Sequence, residues 1–131
     1  MLRPRKRPAA PAILGLALAG LLGCHPTPQQ ANPAAARETL CRALDAWQKG
    51  ESPQSLHAAS PAVAVVDPQW RDGVRLLKYE LQGEAEPNGF DVQFPVKLAL
   101  QDRTGKRFQE KGVYIISTAP ALVVVRSEES R

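Results

Sequence analysis

The stretch from Phe90 to Gln101 constrains this chain more than any other. Phe90, Val92, Phe94, Val96, Leu98 and Leu100 alternate with Asp91, Gln93, Pro95, Lys97, Ala99 and Gln101. A period of two sends successive side chains to opposite faces. Six in-phase apolar residues therefore demand a strand with one face on a core. A helix would scatter the same residues around its circumference. Pro95 has no N–H to give to a ladder, so a sheet edge or a bulge is required at that point.

More strands are expected on either side. Residues 74–82 place Leu77, Tyr79 and Leu81 on one face, and Pro87-Asn88-Gly89 is a turn signal. Thr104-Gly105 turns the chain into a strand over 107–117. Ala119-Pro120 breaks that strand, and 122–126 forms the next. Ala62 to Val66 is a short apolar run of the edge-strand kind.

The helical period lies before the strands. Leu40, Leu44 and Trp47 recur with Ala36 and Ala43 beside them, while Arg37, Arg42, Asp45, Gln48 and Lys49 fill the other side. Asn32 is a helix N-cap, Pro33 suits the first turn and Gly50 is a stop. Ser52-Pro53 starts a second, short helix to about Ala59. Asp67-Pro68 and Asp72-Gly73 bracket Trp70 in a turn-rich segment. The expected fold class is α+β. An N-terminal helix packs across an antiparallel meander of about four strands, as a single domain over residues 34–127.

The first residues follow another logic. Arg3, Arg5, Lys6 and Arg7 form a basic head, and no charge occurs from Ala9 to Leu22. That is the form of a secretory signal peptide. Its apolar run of about 14 residues is shorter than the ~20 a spanning helix needs. The segment ends Leu21-Leu22-Gly23-Cys24, which resembles the lipobox of bacterial lipoproteins. The resemblance implies that 1–23 is a lipoprotein signal peptide cut after Gly23. It also implies that the Cys24 thiol carries a diacylglyceryl group, with the new amino group acylated. Residues 24–33 then form a Pro-rich tether. The domain would sit outside the cytoplasm, anchored through lipid on Cys24 to a bacterial cell membrane or outer membrane. His25 after the cysteine leans toward the outer one. A plain signal peptide with an incidental Cys24 is the alternative.

The order of helix, Ser-Pro turn, Asp-Pro-x-Trp segment and strands resembles cystatin-like and NTF2-like α+β folds, and small bacterial lipoproteins with a similar run. The resemblance is architectural and implies no activity by itself. The cystatin inhibitory loop pattern, Gln-x-Val-x-Gly, is absent.

Charge excludes one class of partner. The chain has 17 Lys and Arg against 13 Asp and Glu. Four of the bases precede Gly23, so the rest of the chain is formally neutral. No basic stripe of the nucleic-acid-binding kind is left, and no nucleic acid partner is expected.

Catalytic groups are scarce. His25 belongs to the tether, and His57 reads as a surface residue. Cys41 beside Leu40 reads as a small buried hydrophobe. With Cys24 lipidated, Cys41 has no disulfide partner. Glu84, Glu86 and Asp91 read as a solvated hairpin tip. No metal site and no cofactor motif is present. The expected function is a non-enzymatic, lipid-anchored interaction or structural module whose partner is another envelope protein. The alternative is a small-ligand module with a pocket between helix and sheet, ringed by Trp47, Tyr79 and Phe94. An NTF2-like enzyme is a third reading. It needs an acid–base pair inside, whereas the inward positions of the clearest strand carry Phe, Val and Leu. Trp70 is expected to cap the core.

Overall fold

A computed structural model describes residues 31–127. The expectations for the signal segment, Gly23 and Cys24, and for most of the tether, lie outside the described residues. Strand β4 (Asp91–Gln101) is the axis of the sheet, and Val92, Phe94, Val96, Leu98 and Leu100 are all buried along it. Phe90 does not join them. Strand β3 (Glu86–Asn88) folds onto β4 with Asn88 opposite Asp91, so Gly89 and Phe90 form the turn. Gly89 takes a positive φ of 65° there, and Phe90 is left 64% exposed.

Strand β5 (Arg107–Ser117) pairs antiparallel with β4 over its whole length, and β6 (Leu122–Ser127) pairs antiparallel with β5. On the other side of β4 lies β2 (Arg75–Leu81). Strand β1 (Val63–Val66) closes the far edge, parallel to β6. The order is β1-β6-β5-β4-β2, with β3 also on β4. The expected helix on a sheet is present in a mixed α+β architecture, but the sheet has six strands instead of about four. Two short strands make the difference. β3 was hidden in turn residues, and the parallel β1 means the sheet is not a pure meander.

The face expected for β2 also needs correction. Leu76 pairs with Leu100 and Lys78 with Ala99, so Leu77 is an extra residue at a bulge. The bulge moves the core phase from Leu77 to Leu76, which is 2% exposed, and keeps Tyr79 and Leu81 on the inner side. Gln48 on the helix donates to the Leu77 carbonyl at 3.0 Å. Pro95 lies in an interior strand, yet at a gap. Its carbonyl accepts from Gln82 N–H at 2.7 Å, just where β2 has ended and β3 has not begun. Its missing N–H points to the same side and breaks no ladder.

Helix α1 (Pro33–Gln48) starts as its sequence requires, with the Asn32 side chain accepting from Ala35 N–H. It ends in a Schellman pair, Gly50 N–H to Trp47 O and Glu51 N–H to Ala46 O, with Gly50 at φ 85°. Ala36, Leu40, Ala43, Leu44 and Trp47 are buried against β2, β5 and β6. Helix α2 (Pro53–His57) is shorter than expected and buries Leu56. A single helical turn, α3 (Pro68–Arg71), replaces the expected turn segment.

Candidate functional site

The densest chemistry lies on the inner face of the sheet, beyond the end of α1. Register places Glu110, Gly112 and Tyr114 of β5 opposite Leu98, Val96 and Phe94, so all three face inward. Arg126 of β6 pairs with Tyr114 and shares that face. Asp67 enters from the β1–α3 junction. One of its oxygens caps α3, accepting from Gln69 N–H at 3.0 Å and Trp70 N–H at 3.4 Å. The other accepts from the Tyr114 hydroxyl at 2.6 Å. Arg126 lies 3.6 Å from Asp67 and 3.1 Å from Glu110, and it also donates to the Gln69 side-chain oxygen. Gln69 in turn donates to Glu110 at 2.8 Å. Gly112 supplies the room, because a Cβ there would meet Arg126 Nε at 3.2 Å.

This cluster is closed on itself. Among the described residues no buried side-chain nitrogen or oxygen lacks a hydrogen bond. Burial, and then the Asp67 carboxylate, hold the Tyr114 hydroxyl far above its ordinary pKa. It keeps its proton and donates it to Asp67. A general acid or base needs a free lobe aimed at a substrate. Here each group is engaged with another, and the Asp67 and Arg126 side chains are only 1% and 7% exposed. What the arrangement does is fasten α3 and the β1 edge to β5 and β6. β4 points inward only Phe, Val and Leu, as its sequence indicates. The polar residues come from neighbouring elements that sequence reasoning passed over. A signal was available, since Glu110 and Tyr114 share a phase with Ile116, and Arg126 shares one with Val124.

The three candidate pocket residues have separate surroundings. Trp47 stacks on Trp70, ring centroids 5.4 Å apart and planes 10° from parallel. Each indole N–H is satisfied, Trp47 by Val74 O at 2.8 Å and Trp70 by Glu51 O at 2.9 Å. Trp70 thus caps the core, being 6% exposed. Tyr79 donates to Asp45 at 2.7 Å across the edge of α1. Burial first, then the bonds to Asp45 and Cys41, push its hydroxyl pKa well up. Phe94 is 2% exposed within the core. A hollow of about 280 Å³ borders Trp47 and Trp70, and one of about 110 Å³ borders Tyr79. An open groove of about 590 Å³ between α1 and α2 borders Cys41 and Asp45. Phe94 lines none of the three.

Cys41 is half-buried with a free thiol, and His57 is exposed on α2. Glu84 and Glu86 are exposed and Asp91 is half-buried. Among the described residues no three His, Cys, Asp or Glu side chains converge as a metal ion would need. No helix among them is long and apolar enough to cross a membrane. Comparison with protein-family models, with curated proteins and with solved structures finds no significant match.

Proposed function

We propose that this chain is a lipid-anchored envelope protein whose domain is a non-enzymatic interaction or structural module. Leu21-Leu22-Gly23-Cys24, after a basic head and a short apolar run, supports the anchor. The observation that carries the non-enzymatic part is the closed cluster of Asp67, Tyr114, Arg126, Gln69 and Glu110. Among the described residues this concentrated ionisable chemistry is spent on holding elements together, with Glu110, 36% exposed, bonded to both Gln69 and Arg126. The finer fold reading is cystatin-like or NTF2-like. One long helix across a curled sheet supports it.

Two acyl chains on Cys24 give lasting attachment, where one gives only marginal binding. Intact mass of protein extracted from membranes tests this. The expected mass is that of residues 24–131 plus two or three acyl chains. Cys24→Ser is expected to accumulate precursor or to release a soluble form. Normal processing and unchanged membrane fractionation of that variant would sink the anchored reading.

A further inference from the structure

The outer face of the sheet is divided in two. At one end register aligns Arg75, Gln101 and Arg107 in one row. Lys78, Ala99 and Gln109 form the next, and Glu80, Lys97 and Lys111 the third. These positions alternate with the buried residues of the same strands, so they face away from the core. Five bases stand there with one acid. Among the described residues none of the five is in an ion pair. Lys97 and Lys111 are directly opposite each other, and Glu80 flanks Lys97 on the other side, so one acid faces two adjacent like charges that repel. Residues 24–131 are formally neutral, so this is segregation of charge and not excess. Beyond it the same face carries an apolar strip, Val113 and Pro95 in one row and Val66, Val125 and Ile115 in the next, with Val66 54% exposed and the rows ending in Ser127 and in Gln93 and Glu86. The hollow of about 110 Å³ lies in the basic half, bordered by Lys78, Lys97, Gln109, Ala99 and Tyr79, with Glu80 as its one acid. The small side chain of Ala99 leaves that space between the two lysines.

We propose that this face rests on an anionic phospholipid surface, with a lipid phosphate seated in the hollow between Lys78 and Lys97. Charge complementarity selects the occupant. A second copy packed face to face would bring lysines against lysines. Lysine stems can lie along the apolar surface while their ammonium groups reach phosphates, and a surface rich in anionic lipid attracts them over about a Debye length. The neighbouring apolar rows meet the acyl boundary. The inference goes beyond the anchor and rests on it only for proximity, since a tether from Cys24 spans ~25 Å at ~3.1 Å per residue.

Lysine acetylation read by mass spectrometry tests the face. Protein purified from membranes is mixed with vesicles of phosphatidylcholine alone, or of phosphatidylcholine with phosphatidylglycerol. Labelling of Lys97 and Lys111 is compared with that of Lys49 at the end of α1. The expected result is a several-fold fall in the Lys97 and Lys111 labelling ratio on anionic vesicles only, reversed by raised salt. A Lys97→Gln, Lys111→Gln variant, whose fold is checked by its melting curve, is expected to lose protection of Lys78. An unchanged ratio, or equal protection by neutral vesicles, would overturn the proposal. Equal protection by inorganic phosphate alone would assign the hollow to a soluble anion and overturn the lipid. If the intact mass shows no acyl chain, the anchor has failed separately. The same labelling on the soluble protein still decides the face.

Discussion

The molecule contains two tyrosine–aspartate hydrogen bonds of nearly equal length, and they sit in opposite surroundings. Tyr114 reaches Asp67 at 2.6 Å inside the fold, where the tyrosine is 1% exposed. Tyr79 reaches Asp45 at 2.7 Å on the flank of α1, where the tyrosine is half-buried and the bond itself lies at the surface. In both, burial and the carboxylate raise the phenol pKa. The difference lies in what happens if the bond is broken. Water can replace either partner at the flank. Inside, a broken bond leaves a desolvated polar group, which costs more than the bond itself contributes. Geometry alone therefore does not rank the two; burial does.

Removing the inner acid should have the largest effect. Asp67→Ala removes the cap of α3, orphans the Tyr114 hydroxyl and takes one carboxylate from Arg126. A loss of about 3–5 kcal/mol is expected from breaking such a buried pair. That is much of the stability of a small domain. Urea unfolding measures it. A loss no larger than that for Asp45→Ala would break the comparison.

Tyr114→Phe comes next, at about 1–3 kcal/mol, because Asp67 keeps its contacts with α3 and Arg126. Its pH dependence sharpens the contrast. The unfolded chain releases the phenolic proton near pH ~10, while the folded protein holds it to higher pH. The stabilisation is therefore complete below that pH and falls as pH rises above it. The Phe variant should show a shallower alkaline loss in melts between about pH 9 and 11. Equal slopes would mean that Tyr114 does not hold its proton in the fold.

Tyr79→Phe should do least, within about 1 kcal/mol, since both partners are then hydrated. Thermal melts beside Tyr114→Phe give the ratio directly. Equal losses would show that the flank pair is shielded from water.

The main frame was legible because it depends on local rules. The alternation in β4 and the Asn32 cap with its Gly50 stop each act within a few residues, and the structure follows them. The bulge at Leu77 was not legible. It is set by how β2 meets β4, and 74–82 taken alone favours Leu77 over Leu76. Phe90 matches the strand phase, and only the pairing of β3 withdraws it into a turn. The inner cluster was hidden for a related reason. Asp67 and Tyr114 are 47 residues apart, and Arg126 lies further on. Each has an unremarkable local reading: an acid before a proline turn, a tyrosine in an apolar run, a base after three valines. Only the ordering of β1, β6 and β5 makes them neighbours.

That ordering has a consequence for synthesis. Val63–Val66 leaves the ribosome before β6, yet among the described residues its strand partner is Leu122–Val125. Until the last strand emerges, β1 has an unfilled edge and Asp67 has no guanidinium beside it. Non-local pairing of this kind makes completion of the sheet late and slow. The nascent chain therefore stays incompletely locked until β6 is available.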